Sequence, residues 1–260
     1  MNSNGEADSG RPFARVDILG VGVSAITMKM ALDRIDHWIA RREPNYVCVA
    51  TTHSINECQG DPRLREINRG AGMVTPDGMP LVWISHLRGF RYVERVYGPD
   101  LMAAVCANSI AKGYRHFLYG GWPADVVEKL SANLCRRFSG LKIVGTHVPP
   151  RRPLTAAEDR DVVAKINSAH PDVVWVGTGA PRQELFMGDH VGKLCAPVLI
   201  GVGAAFDFHA GTRRQAPRWM MRGGLEWLYR LVQEPCRLAP RYLVNNPRFV
   251  ARVIMGSIRR

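Results

Sequence analysis

The fold is decided by two apolar segments, Asp172-Val-Val-Trp-Val-Gly177 and Val198-Leu-Ile-Gly-Val-Gly203. Each is a short run rich in β-branched residues that ends on glycine, a pattern typical of a buried strand followed by a turn. Four earlier segments share the pattern and are also predicted strands: residues 16–21, 46–50, 116–119 and 141–146.

Longer segments with helical spacing separate these strands. They cover residues 27–41, 100–112, 123–138 and 155–168, and Thr155 with Glu158 three residues later predicts a capping box at the start of the last one. Alternation of strands and helices predicts an α/β fold, a parallel sheet with helices on both faces. Ligands of such sheets bind at the carboxyl ends of the strands.

The charge of the chain is unusual, although its size is not. The 260 residues are 46% hydrophobic and 22% charged, which is ordinary for a globular protein, but the net charge is +12. A polyanionic partner is therefore expected: nucleic acid, an acidic membrane surface or a phosphorylated substrate.

The cysteines and the apolar runs exclude several classes of protein. Six scattered cysteines without zinc-type spacing indicate reduced thiols in a cytosolic protein. The polar N-terminus is no signal peptide, and residues 1–15 are predicted to be a disordered leader. The longest apolar run, residues 195–206, is too short to span a bilayer.

The composition changes after Phe206. Residues 207–260 contain eleven arginines, three acidic residues and no lysine, with aromatic residues interleaved. Near the end, Phe249, Val250, Val253 and Ile254 fall on one helical face, and the arginines at 248, 252 and 259 fall elsewhere. We therefore divide the chain into an α/β catalytic domain at 16–206 and a basic helical C-terminal appendage at 207–260 that suits an anionic membrane surface. The alternative is a basic helix that packs on the domain with its arginines solvated.

Two short motifs have ordinary explanations. Gly20-Val-Gly22-Val-Ser-Ala25 matches a dinucleotide-binding fingerprint, but the acid that should end the next strand is Glu43, which precedes a proline instead. Asp159-Arg-Asp161 resembles a metal-binding pair, but it lies inside the helix capped by Thr155, where acids suit the helix dipole. No metal site is expected.

The informative clusters follow predicted strands. They are Thr51-Thr-His-Ser-Ile-Asn56, Thr75-Pro-Asp-Gly-Met-Pro80, Arg95-Val-Tyr-Gly-Pro-Asp100, Gly177-Thr-Gly-Ala-Pro-Arg-Gln-Glu184 and Gly201-Val-Gly-Ala-Ala-Phe-Asp207. Glycines at such strand ends let backbone N–H groups approach a diphosphate.

Together with the block from Gly224 to Arg230, Glu234-Pro235 and Arg241-Tyr242, these clusters resemble the WecG/TagA/CpsF family of bacterial glycosyltransferases (glycosyltransferase family 26) over residues 16 to 243. The resemblance implies a Rossmann-like core and transfer of a sugar, with inversion, from a UDP-sugar to an undecaprenyl-diphosphate-linked saccharide. It also implies a cytoplasmic protein peripheral at the inner face of the cell membrane.

The resemblance assigns roles position by position. Asp77 matches the proposed catalytic base, Thr51 and Arg95 match residues of the sugar-nucleotide pocket, and Gln183 lies in a loop of that pocket. His53 stands where many members have asparagine. Gln215 stands where many have arginine, so a leaving-group arginine would be Arg213, Arg214 or Arg218. The further candidate substrate-binding residues are His53, Gly78, Gly98, Asp100, Gly177, Gly179, Glu184, Arg214, Arg218 and Arg230.

Three functions compete at this point. The glycosyltransferase needs no cofactor; its partners would be the UDP-sugar, the lipid-linked acceptor and the anionic membrane, without nucleic acid. A nicotinamide-dependent oxidoreductase and a basic nucleic-acid-binding protein are the alternatives. The donor sugar stays open among N-acetylmannosamine, its uronic acid and glucose, and so does the oligomeric state, a homo-oligomer included.

Overall fold

The computed structural model describes residues 12–258, apart from the side chains at 237, 240–242, 244 and 256–258. A six-stranded parallel sheet forms its centre, with strand order β4-β3-β8-β7-β5-β6. The strands are β3 (Asn45–Ala50), β4 (Met73–Pro76), β5 (Arg115–Gly120), β6 (Lys142–His147), β7 (Val173–Gly177) and β8 (Val198–Gly201). The predicted α/β class is confirmed.

The prediction that residues 16–21 form a strand of this sheet is wrong. The segment instead forms an antiparallel hairpin of β1 (Arg15–Ile18) and β2 (Val21–Ser24). Leu19 and Gly20 connect the strands with φ of 54° and 79°. Positive φ at both positions of a two-residue loop is the geometry that matches the twist of paired strands.

Strand β4 was absent from the sequence prediction. Its four residues are all buried, and it pairs with β3 so that Ala50 lies opposite Pro76. This pairing places Thr51 and Asp77, the residues that follow, side by side at one edge of the sheet.

Helices cover both faces because each inner strand alternates its buried side chains between two clusters. Val174 and Val176 of β7 pack into one cluster, and Val173 and Trp175 into the other. The helices of the core are α1 (Met28–Arg41), α2 (Thr52–Gly60), α3 (Pro62–Gly70), α4 (Met79–Leu87), α5 (Gly98–Lys112), α6 (Asp125–Arg137), α7 (Ala156–Ser168), α8 (Arg182–His190) and α9 (Ala205–Ala210). The predicted capping box of Thr155 and Glu158 is present.

The appendage contains α10 (Arg218–Arg222), α11 (Glu226–Gln233) and α12 (Pro235–Ile258), and α12 packs against α2. The division at residue 206 falls inside α9, which packs against α5 and α6. The structural end of the core is therefore Gly211, the left-handed residue that ends α9. None of the helices in residues 12–258 is long and apolar enough to cross a bilayer.

The predicted disordered leader, residues 1–15, lies mostly outside the described residues. Residues 1–11 lie outside the described part, whereas Arg15 belongs to β1. The guanidinium of Arg34 lies over the ring of Phe13, 4.1 Å from the ring centroid. The backbone carbonyl of Ala14 accepts a hydrogen bond from the Ala25 N–H. All six cysteines are free.

Candidate active site

Two recesses meet at the carboxyl edge of the sheet. We call the first, of about 390 Å³, the polar cleft; it is lined by Thr51, Asp77, Gly121, Trp122, Arg151, Gly177, Gly179, Gln183, Gly203, Arg213, Glu226 and Arg230, among others. We call the second, of about 520 Å³, the apolar groove; it is lined mainly by Met79, Trp83, Ile84 and Leu87 of α4, Trp227 of α11, and Phe249, Val250, Val253 and Ile254 of α12. Four residues line both recesses: Thr51, Asp77, Glu226 and Arg230.

The polar cleft lies where the chain reverses its direction across the sheet. From β5 the chain proceeds outward to β6, whereas from β7 it proceeds the other way to β8, although β5 and β7 are neighbours. Such a switch point opens a crevice at the strand ends, where α/β proteins bind their ligands.

Glycines form one wall of the cleft for two different reasons. A Cβ on Gly177 would lie 2.5 Å from the Phe206 ring, so Gly177 is required by packing. Gly179 has φ of 79° and nothing within 4 Å of its hypothetical Cβ, so its backbone faces open space in a conformation that favours glycine. A ligand can therefore approach the backbone closely at Gly179.

Asp77 is held at the boundary between the two recesses. It is 9% exposed, its backbone N–H donates to Ala50, and its Oδ1 accepts the Gly98 N–H at 2.8 Å. Burial raises the pKa of Asp77 to about 6; Arg95, the Gly98 N–H and Arg230 oppose the rise, and Glu226 adds to it. The carboxyl group is thus ionised near neutral pH yet more basic than an exposed aspartate.

Arg95 lies behind Asp77 rather than in the open cleft. Its Nε donates to the backbone carbonyl of Asp77, and its Nη2 lies 2.5 Å from Oε2 of Glu226. The phenol of Tyr97 donates to Oε1 of Glu226 at 3.1 Å, and burial raises the pKa of Tyr97, so this proton is retained. Arg95 thereby connects the core to the appendage.

Gln183 lines the polar cleft, and Glu184 does not. Gln183 is 4% exposed, and its Nε2 donates to Oε1 of Glu184 at 3.0 Å. Within the described residues its Oε1 has no partner. Burial raises the pKa of Glu184, and its carboxyl group accepts the Gln183 amide without lining the cleft.

Thr51 is positioned by local structure. It is the N-cap of α2, and its side chain accepts the Ser54 N–H at 3.2 Å. A threonine directly after β3 thus begins a helix and borders both recesses. Gly78, which follows Asp77, lines the apolar groove.

Six sequence-predicted binding residues border neither recess: Glu184, Gly98, which binds Asp77, and the four that follow. His53 Nδ1 lies 3.0 Å from Nδ2 of Asn245, so His53 faces α12. Asp100 is exposed on the first turn of α5 and borders neither recess, because helical spacing turns it away from Gly98. Arg214 and Arg218 are exposed and also border neither recess.

The arginines that do reach the polar cleft are Arg151, Arg213 and Arg230. Arg213 is one of the three that the sequence offered for the leaving group, and it pairs with Glu234 at 3.1 Å and with Asp207 at 3.6 Å. Of the predicted arginines, Arg213 and Arg230 therefore border the polar cleft, whereas Arg214 and Arg218 do not.

Sequence reasoning missed Glu226, Tyr97, Trp122 and Arg151 as site residues. Tyr97 and Glu226 were inside quoted motifs, so a signal was present, but nothing indicated that residues 129 positions apart would share a hydrogen bond. Trp122 and Arg151 follow β5 and β6, and a search restricted to glycine-rich strand ends passes over the arginine.

The two weak motifs have structural roles. Gly20 lies in the hairpin loop and Gly22 in β2. These glycines therefore connect two strands, whereas those of a dinucleotide-binding fingerprint connect a strand to a helix. Asp159 is not simply solvated, because its Oδ1 lies 3.0 Å from Nε2 of the buried His190. No group of three metal-ligating side chains exists among residues 12–258 whose side chains are described.

A parallel sheet whose switch-point cleft combines glycines, arginines and a buried carboxylate has the features of an α/β enzyme with a ligand site at its strand ends. The chain belongs to the WecG/TagA/CpsF family of glycosyl transferases, whose model matches residues 16–260, and it is a hexosyltransferase.

Relatives that are named as glycosyltransferases align with most of the chain. It is 30% identical over 198 residues to an N-acetylglucosaminyldiphosphoundecaprenol N-acetyl-beta-D-mannosaminyltransferase of Bacillus spizizenii, covering 76% of this chain and 74% of the relative. The proteins of the same name from Bacillus subtilis and Staphylococcus aureus are 31% and 27% identical, covering 73% and 85% of this chain and 71% and 85% of the relatives.

Proposed function

We propose that the protein transfers an N-acetylhexosamine, by direct displacement with inversion, from a UDP-sugar to a polyprenyl-diphosphate-linked saccharide in cell-surface polysaccharide biosynthesis. The observation that carries the proposal is the position of Asp77, which borders both a polar cleft and an apolar groove. A transferase with a water-soluble donor and a lipid acceptor needs its base at such a boundary.

The polar cleft suits the donor. The open backbone at Gly179 allows a diphosphate to approach closely, and Arg213 and Arg230 supply charge where the departing UDP becomes negative. Arginine suits a diphosphate because its planar fork can donate two parallel hydrogen bonds. The reaction then proceeds without a resident metal ion.

Asp77 acts as the general base. Its carboxylate takes the proton of the acceptor hydroxyl while that oxygen forms a bond to the anomeric carbon and the bond to UDP breaks. A pKa of about 6 keeps Asp77 ionised near pH 7 and makes it a stronger base than an exposed carboxylate. Its pKa lies close enough to the working pH for efficient proton transfer.

The apolar groove suits the isoprenoid chain of the acceptor. Its walls are α4 of the core and α11 and α12 of the appendage, and they are mainly apolar, with Glu226, Arg230 and Asn246 as their polar members. Leu87 at one wall is 87% exposed and Ile254 at the other is 56% exposed, so the groove is incompletely covered by protein. A polyprenyl chain entering it would place its diphosphate toward Arg230, which borders both recesses.

The appendage also suits an anionic membrane surface. Trp219 and Val232 are 67% and 75% exposed, and the arginines at 214, 218, 222 and 248 are exposed. Each basic residue near an acidic bilayer contributes about 1 kcal/mol, and exposed aromatic residues favour the interface. We therefore assign Arg214, Arg218 and Arg248 to the lipid surface and infer a peripheral protein at the inner face of the membrane.

The names of the relatives give the sugars for a first test, N-acetylmannosamine as the transferred sugar and lipid-linked N-acetylglucosamine as the acceptor. Transfer should be measured with UDP-linked N-acetylmannosamine, its uronic acid and glucose on a short-chain polyprenyl-diphosphate N-acetylglucosamine. Transfer should persist in EDTA. Absence of transfer from every UDP-sugar would refute the proposal, and activity restored by Mg²⁺ or Mn²⁺ after chelation would refute its metal-free part.

A further inference from the structure

Glu226 connects the appendage to the base. It is the first residue of α11, and its side chain is 14% exposed, against 16% for that of Arg95. Its two carboxylate oxygens bind different core residues: Oε2 binds Arg95 and Oε1 accepts the Tyr97 hydroxyl. This contact links the appendage to Arg95, which binds the Asp77 backbone, and to Tyr97, which directly precedes the Gly98 that binds the Asp77 carboxylate.

Arg95 lies between the backbone of Asp77 and the carboxylate of Glu226. Its Nε is bound by the Asp77 backbone carbonyl and its Nη2 by Glu226, and its guanidinium lies 4.2 Å from the centroid of the Tyr97 ring. The Asp77 side chain instead accepts the Gly98 N–H. Glu226 thus neutralises Arg95 and leaves the Asp77 carboxylate for a substrate proton. Without Glu226, Asp77 would be the carboxylate beside an uncompensated guanidinium.

We propose that Glu226 is a positioning residue of the transfer reaction: it holds Arg95 away from the Asp77 carboxylate and makes the basicity of Asp77 depend on the docking of the appendage. The inference rests on the proposed function of Asp77 as base. It assigns the appendage a role in acid–base chemistry that is separate from binding of membrane or diphosphate.

The charges around Asp77 fix the direction of the effect. Arg95 and Arg230 favour its ionised form, as does the Gly98 N–H, whereas burial and Glu226 oppose it. Removing the charge of Glu226 leaves the two arginines unopposed, so the pKa of Asp77 falls. Activity of the wild type is lost as the pH falls through about 6, because Asp77 becomes protonated. In a Glu226 variant this loss moves to lower pH.

The test is the pH profile of kcat/KM in full-length Glu226→Gln, which keeps the size of the side chain and an acceptor oxygen for Arg95, while its amide N–H can donate to the Tyr97 hydroxyl oxygen. The acid limb is expected to move down by about one pH unit, as for loss of one close charge, and the plateau to fall about threefold or more because the base is weaker. Glu234→Gln is the matched control, since Glu234 pairs with Arg213 in the same appendage. Its acid limb should not move.

A second variant separates charge from packing. Glu226→Asp keeps the charge, so its acid limb is expected within a few tenths of a unit of the wild type, about the scale of a small change in charge distance. The proposal is overturned if the acid limb of the pH profile does not move in Glu226→Gln. It is also overturned if that limb moves by a full pH unit in Glu226→Asp.

Asp77→Asn distinguishes the two proposals. If that variant is inactive while the acid limb of Glu226→Gln is unmoved, the role of Glu226 fails and the base stands. If Asp77→Asn retains wild-type turnover, the proposed base itself is refuted.

Discussion

The core and the appendage bury their apolar residues to very different degrees. In the core, the four residues of β8 and the first four of β7 are all buried. In the appendage, neither α10 nor α11 contains a buried residue, although α11 is strongly amphipathic. The buried side chains described in the appendage are Ala216, Leu238 and Phe249.

This difference shows how the two regions are stabilised. The core closes its two hydrophobic clusters with its own helices, and among the described residues only Phe249 of those clusters lies beyond Gly211. The appendage leaves large side chains such as Trp219 and Leu243 each 67% exposed. Exposed apolar residues on one segment mark a surface that meets an apolar partner. Core stability thus comes from protein packing, and the exposed apolar residues of the appendage fit the proposed contact with lipid.

The largest expected effect comes from removing the appendage. A chain ending at Gly211 should keep the folded core, because the sheet and both clusters are nearly complete without the rest. Transfer should fall by about 10³-fold or more, since Glu226, Arg230 and one wall of the groove are lost. Circular dichroism, sedimentation with acidic liposomes and turnover on a detergent-soluble acceptor measure the three properties. Full turnover of the truncated core would mean that the appendage is only an anchor.

A smaller loss is expected from Asp77→Asn. The asparagine can still accept the Gly98 N–H but cannot take a proton, so turnover should fall about 10²-fold while UDP affinity and melting temperature stay near wild type. Turnover and calorimetric UDP binding measure the two effects. Near-normal turnover would exclude Asp77 as the base.

The smallest effects come from single arginines of the appendage, and they sharpen the comparison. Arg230→Gln should lower turnover about tenfold on a detergent-soluble acceptor, because Arg230 borders both recesses. Arg248→Gln should leave that turnover unchanged and weaken liposome binding at low salt only, since exposed charges are screened. Equal effects of the two variants on turnover would contradict the division between substrate-facing and lipid-facing arginines.

Arg252 is not part of the lipid-facing set, although helical spacing placed it off the apolar face of α12. Its Nη1 donates to Oδ1 of Asn56 at 3.0 Å, and this hydrogen bond joins α12 to α2. Arg259 lies outside the described residues. A helical pattern distinguishes apolar from polar faces, but it does not tell a polar face that meets another helix from one that meets water.

The sequence by itself determined the α/β class, the position of five of the sheet strands and the clusters that supply Thr51, Asp77 and Gln183. It could do so because strand patterns, caps and glycine-rich turns depend on neighbouring residues. It also indicated the basic, aromatic composition of the appendage.

Only the tertiary structure decided which distant residues meet. It turned residues 16–21 into a hairpin, added β4, moved His53, Asp100, Arg214 and Arg218 away from the recesses, and brought Glu226 to Arg95. Each of these outcomes depends on the pairing of strands or the docking of helices far apart in the chain. Local periodicity carries no information about the partner across such a contact, and therefore the polar cleft, the apolar groove and the carboxylate between them exist only in the folded protein.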